Sequence, residues 1–330
     1  MKQKLYGVLL ICTLLLISNI PSSADARNST VKDLQPRIEL QLQYSDEYIN
    51  TNSTLDEKLL AALEGASPEA LVSYNQETGL TTVTELKDKT GLDTQTEPYI
   101  PQGLEVAVPE PNISPFGVIG NDNRSQITNV NVYPYSTMVY LEINFGNGKI
   151  APGTGTLVGN NLILTAGHCV YFEGLGWAQS IVVKPGGSLS SFSSVTTSDI
   201  HSVVGWVNNL DDDYDYGVIR VSSNIGQDTG YLGTRSYSSN SSLNGKDIYQ
   251  YGYPLDKSAG TLWYDTGTIS SVSARRFNHN ADTVGGNSGG PVVLTSDWQY
   301  IVGIHTQQEN SNYNSATRIV TDIINYLNGF

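Results

Sequence analysis

The sequence predicts an all-β fold for its larger, C-terminal part, a barrel or sandwich of short strands closed by one helix. Three observations predict it. Short β-rich runs recur between turn residues at 138–145, 154–158, Leu162–Thr165, 181–184, 216–221, 248–253, 266–272, 292–295 and 300–305. No helical periodicity intervenes, and the composition (Gly 32, Tyr 20, many Ser, Thr and Asn) favours strands and turns. At the end, Ile319, Ile323, Ile324 and Leu327 return at helical spacing, which predicts an amphipathic helix over 317–327.

The elements before the strands are of other kinds. Lys2 and Lys4 open the chain. An apolar run over 5–17 follows, broken only by Thr13, and then Pro21 and small residues up to Ala24-Asp25-Ala26. A basic start, a short apolar stretch and a small-x-small end make residues 1–26 a secretory signal peptide. The run is too short to span a bilayer. The alternative, a lipid anchor at Cys12, conflicts with the bulky Ile11. The product is therefore expected to be soluble, exported and extracellular. Once Cys12 is removed it keeps one thiol, Cys169, and can form no internal disulfide.

Residues 27–117 hold 15 acidic and 6 basic residues, seven Pro, and no Cys, His or Trp. They predict a propeptide with a helical patch near 55–63 and an extended Pro-rich linker over 97–115. Residues 118–330 hold all four Trp and all four His, with 16 acidic against 10 basic residues. The whole chain has 330 residues and a net charge of −14. Neither a nucleic acid nor an anionic membrane would favour that charge, so neither is expected as a partner. With 39% apolar and 15% charged residues the chain can bury a core. Two Cys exclude a disulfide scaffold and a Cys-based zinc cluster.

Few residues can do chemistry. The strand Leu162–Thr165 runs into Thr165-Ala166-Gly167-His168-Cys169, which fixes an imidazole just outside a barrel. Further on, Gly285-Gly286-Asn287-Ser288-Gly289-Gly290-Pro291 sets one Ser among four Gly, a loop able to turn two N–H groups toward one point. Alone, the first motif reads as a core or surface His that does nothing, and the second reads also as a flexible turn. Together they resemble the chymotrypsin-like serine proteases, over about 210 residues from Val118 onward. That resemblance implies two six-stranded antiparallel barrels, about 118–225 and 226–315, within a protease domain 118–330. It also implies a serine endopeptidase made as a zymogen and acting through an acyl-enzyme.

A Ser hydroxyl needs a base, and the base needs a carboxylate to hold its tautomer. The resemblance makes His168 the base and Ser288 the nucleophile, with an Asp between them in the chain. Of the ten Asp in that interval only Asp215 directly precedes a strand of the right type, and Asp213 is the alternative. Asp211, Asp212 and Asp213 read as a solvated loop, with a calcium site only weakly signalled. The backbone N–H groups of Gly286 and Ser288 would form the oxyanion hole. No cofactor or metal is expected, the partners are polypeptide substrates, and a monomer is expected.

Two departures point to a branch of the family. Cys169 lacks its usual partner, because the upstream neighbourhood is Ala151-Pro152-Gly153-Thr154. Asn287 stands where animal enzymes carry an Asp that pairs with the new N-terminal amine, so activation must work differently. Both features resemble the bacterial glutamyl endopeptidases. The branch implies processing between Gly117 and Val118, with trimming at nearby bonds as the alternative, and a role for Val118 in substrate binding. It also implies a pocket for Glu built from Thr283 and His305, whose hydroxyl and N–H can meet a carboxylate. The competing reading takes Asp282 as the pocket anion of a trypsin-like enzyme that cuts after Lys or Arg. An inactive protease-fold binding module is a further alternative. Composition sides with Glu: residues 118–330 contain three Glu and thirteen Asp, whereas 27–117 contain ten Glu.

Overall fold

The first sheet runs, strand beside strand, through Val195–Thr197, Ser180–Pro185, Met138–Asn144, Ile150–Leu157, Leu162–Thr165, Gly217–Arg220, Asp199–Val203, Leu71–Asn75 and Leu80–Thr84. The pairings along it are antiparallel. The alternation of Ser180–Pro185 shows how the sequence makes it: Ile181, Val183 and Pro185 turn inward and the residues between them face out. The coordinates are a computed structural model that describes residues 63, 65–76, 80–85, 94–110, 122–146 and 148–330. The expected signal peptide, almost all of the helical patch near 55–63, and Val118 lie outside the described residues.

The second sheet closes on itself. Pro291–Leu294, Asp247–Gly252, Leu262–Ser270, Arg276–His279, Tyr313–Arg318 and Asp297–Asn310 follow one another, and the last pairs again with the first. This six-stranded barrel wraps Leu243, Ile248, Ile269, Phe277, Val292, Leu294 and Val302. Burying each such side chain contributes about 1.5–3 kcal/mol. Ser125–Ile127 joins this barrel through Leu262–Tyr264, so the stretch just after position 118 crosses to the second sheet.

The all-β architecture is the one the strand pattern predicts. Of the two expected barrels the second is closed and six-stranded, and the first is a nine-stranded sheet whose end strands do not pair with each other among the described residues. The hairpin Leu71–Asn75 and Leu80–Thr84, from the region read as a propeptide, extends the first sheet at Asp199–Val203. A short helix, Val204–Asn209, carries Val204, Trp206 and Val207 inward. Six residues are too few for a periodicity to stand out in the sequence. The terminal helix spans Thr321–Leu327 rather than 317–327. Thr317 and Arg318 instead finish the strand Tyr313–Arg318, which pairs with Arg276–His279 and Asp297–Asn310.

Candidate active site

Leu162–Thr165 ends in a single turn, Gly167–Cys169, that presents His168. Gly217–Arg220 pairs with Leu162–Thr165 and is preceded by Asp215. This pairing brings the two residues together across 47 positions of chain. His168 Nδ1 lies 2.8 Å from Asp215 Oδ2, and the His168 backbone N–H donates to Asp215 Oδ1 at 3.0 Å. Both carboxylate oxygens are thus engaged, and the carboxylate is buried. Burial disfavours the imidazolium of His168, but the charge of Asp215 and its hydrogen bond outweigh this and hold the imidazole well above its ordinary pKa.

Asp213 does not reach His168. Its N–H donates to Asp211 Oδ1 at the start of the turn Asp212–Tyr214. Asp212 pairs instead with Arg276 and Gln307.

The glycine-rich loop comes from the closed barrel and is bound to the first sheet. Thr154 N–H donates to Ser288 O at 2.8 Å, and Thr154 Oγ1 donates to Gly286 O at 2.7 Å. The Ser288 hydroxyl donates to Thr306 O at 3.4 Å. Gly286 has φ +95°, and a Cβ there would sit 2.4 Å from Tyr253 O, so only glycine fits. Among the described residues, neither Gly286 N–H nor Ser288 N–H has an acceptor. Two donors are therefore free beside the Ser288 hydroxyl.

His305 is bound to the same loop from both sides. Its N–H donates to Gly290 O and its C=O accepts from Gly289 N–H, each at 2.8 Å. Its ring is buried, with Nδ1 3.4 Å from His279 Nε2. Burial and the neighbouring His279 and His168 hold the His305 imidazole well below its ordinary pKa, so it is neutral. Thr283 is half-buried, and its hydroxyl makes no hydrogen bond among the described residues. Asp282 has different neighbours: its N–H donates to Asp265, and its Oδ2 accepts from Asn123 N–H at 3.4 Å. Burial and the Asp265 carboxylate push its pKa up to about 6.

Comparison with known proteins gives the family. A family described as a trypsin-like peptidase domain matches residues 153–304. A glutamyl endopeptidase of Bacillus licheniformis is 35% identical over 64% of this chain and 67% of its own. An extracellular metalloprotease of Bacillus subtilis is 37% identical over 65% of this chain and 70% of its own. A solved Glu endopeptidase structure superposes with a TM-score of 0.58 and 31% identity, covering 64% of this chain and 98% of that one.

The chain belongs to the chymotrypsin-like serine proteases, in their glutamyl endopeptidase branch.

It is a serine endopeptidase. The metal named for the B. subtilis relative finds no fit here: among the described residues no three His, Cys, Asp or Glu side chains gather to hold an ion. The trait that sets this serine protease apart at Cys169 also has a structural form. A Cβ on Gly153 would lie 3.2 Å from Cys169 Sγ, so the buried free thiol faces the position where a partner would stand, and a glycine holds that position.

Sequence reasoning missed two neighbours of this protease site. Trp206 packs edge-on to His168 with ring centroids 6.2 Å apart, and its Nε1–H is held by Tyr171 O. A Cβ on Gly167 would lie 2.7 Å from that indole, which is why the residue before His168 is glycine here. The only signal was the Gly before His168. His279 lies behind His305, and its buried Nδ1 has no partner among the described residues. Its signal was a second His on a strand of alternating burial, Arg276–His279.

Proposed function

We propose that this protease is exported as a precursor and cleaves peptide bonds after Glu. In this reading His168 takes the proton from Ser288, and Asp215 holds the imidazole with Nδ1 protonated, leaving Nε2 to act as the base. Ser288 attacks the scissile carbonyl, and the N–H groups of Gly286 and Ser288 receive the oxyanion. The imidazolium of His168 then gives its proton to the leaving amine as the scissile C–N bond breaks. Water, deprotonated by the freed His168, hydrolyses the acyl-enzyme and restores the Ser288 hydroxyl.

The observation that carries the specificity is the buried His305 bound to the nucleophile loop through both backbone groups. A carboxylate entering a closed pocket must find donors, because leaving it unpaired costs several kcal/mol. A neutral His305 offers an N–H and Thr283 offers a hydroxyl. The Asp282 carboxylate is engaged by the Asn123 N–H, which argues against its serving as the anion of a pocket for Lys or Arg. The names of the Bacillus licheniformis relative and the solved structure point the same way.

The precursor reading rests on residues 65–110, which lie along outer sheet edges. Leu71–Asn75 pairs with Asp199–Val203, Gln95–Thr96 with Gly233–Arg235, and Tyr99 with Tyr231. Ala70 O and Pro68 O also accept from Val204 N–H and Gly205 N–H on the helix that carries Trp206, so this part of the propeptide braces the folded sheets. Export is supported by the N-terminal pattern and by the extracellular naming of the Bacillus subtilis relative. The test is a peptide series differing only at the residue before the scissile bond: Glu, Asp, Gln, Lys or Phe. Glu is expected to exceed Lys by roughly 10⁴ in kcat/KM. A preference for Lys or Arg refutes the assignment and promotes Asp282. N-terminal sequencing of the secreted protein checks cleavage before Val118.

A further inference from the structure

Asn287 sits between the two free N–H groups of the nucleophile loop, and the residue that holds it comes from another strand. Its side chain is buried, and its Nδ2–H donates to Gln250 Oε1 at 2.8 Å. Gln250, on the strand Asp247–Gly252, is fully buried, and its own Nε2–H donates to Tyr251 O at 2.6 Å. The order Asn287, Gln250, Tyr251 carbonyl fixes both amides: each donates forward, and neither can turn over without setting like against like. The pair is tightly enclosed. A Cβ on Gly252 would lie 2.8 Å from the Asn287 amide, and one on Gly290 would lie 2.8 Å from Gln250 Nε2. The Asn287 main chain completes the arrangement, with its N–H on Val284 O at 3.1 Å and its C=O accepting Gly290 N–H at 2.8 Å.

We propose that Gln250 is a positioning residue for the reaction: through Asn287 it fixes the direction of the Gly286 and Ser288 N–H groups. An Asn cannot pair with a freed amine as an Asp would, and here a neutral amide within the barrel takes that place. Both members of the lock are inside the folded barrel, and the Asn287–Gln250 bond forms without any amine released by cleavage. Asn287 Oδ1 stays buried with no partner among the described residues. The inference rests on the reading of Gly286 and Ser288 as the oxyanion donors.

The test compares the mature protein with Gln250→Met, Gln250→Glu and Asn287→Ala, and with the double variant Gln250→Met/Asn287→Ala. Three readouts are taken: kcat and KM for a peptide amide, Ki for the matching peptide aldehyde, and unfolding temperature. Losing an oxyanion donor outright costs about 10²–10³ in turnover, so loosening both without deleting either is expected to cost about 10–100-fold in kcat for Gln250→Met, with KM within about twofold. The aldehyde forms a tetrahedral adduct whose oxygen occupies the hole, so its Ki should rise by the factor lost in kcat/KM. A residue that serves folding alone would leave that ratio unchanged. Gln250→Glu keeps the oxygen that Asn287 needs and should lie between Gln250→Met and the parent. The double variant should cost no more than the worse single one, because the two residues act as one unit.

A folded Gln250→Met with kcat within about threefold of the parent overturns the proposal, as do single effects that multiply in the double variant. If Gln250→Met does not fold, Gln250→Glu and Asn287→Ala decide by the same ratio of kcat/KM to Ki. If the parent binds the aldehyde no more tightly than the substrate, the oxyanion reading itself is wrong and this inference falls with it.

Discussion

Thr154 is where the two sheets meet behind the nucleophile, and its hydroxyl can be removed without changing the side chain's shape. Its Oγ1 donates to Gly286 O at 2.7 Å and accepts from Tyr253 N–H at 3.1 Å. Thr154→Val keeps the volume but strands two buried backbone groups. Each orphan costs about 1–3 kcal/mol, for a combined loss of roughly 2–6 kcal/mol. For a domain of about 200 residues that corresponds to roughly 5–20 °C in Tm. Thr154→Ser keeps the hydroxyl and loses one methyl, worth about 1 kcal/mol. The comparison is best made by thermal unfolding in a Ser288→Ala background, where self-digestion cannot contribute. In the active protein, Thr154→Val should also lower kcat, since the carbonyl of Gly286 loses the hydroxyl that anchors it. If Thr154→Val is no less stable than Thr154→Ser, the anchoring argument is refuted.

Three further outcomes follow from the site. Asp215 raises the His168 pKa and burial lowers it; activity needs the neutral ring, so kcat/KM should fall as pH drops through a value above 6.5. Asp215→Asn should cost about 10⁴ in kcat and move that limb to lower pH, and a limb that stays put would contradict the stated cause. His305 is held neutral, so KM for a Glu substrate should be flat between about pH 6 and 8; a KM that climbs with pH would mean that binding takes up a proton at this ring. Gly167→Ala would press a methyl into the Trp206 ring, costing about 1–3 kcal/mol in unfolding measurements, and a stability equal to the parent would show that the contact is slack.

The sequence by itself determined the chemistry and the class of fold. Strand runs between turn residues are local, and so is a His after Leu162–Thr165 or a Ser among glycines; each is written in a few adjacent residues. Asp215 could be singled out for the same reason, because the strand that follows it marks it. Tertiary structure decided what depends on distant residues meeting. Gln250 stands 37 positions from Asn287, and nothing around it differs from any buried strand residue. Trp206 reaches His168 from a helix too short to show periodicity, and His279 meets His305 only because two strands pair through a third. The pairing of the hairpin at 71–84 with Asp199–Val203 left no mark in the sequence, since β-addition uses backbone groups that every residue carries. Asp282 was the competing candidate for the pocket, and its contact with the Asn123 N–H and its own N–H bond to Asp265 could be seen only in the folded chain. A side chain's charge state is set by what surrounds it in space, and sequence spacing does not carry that information.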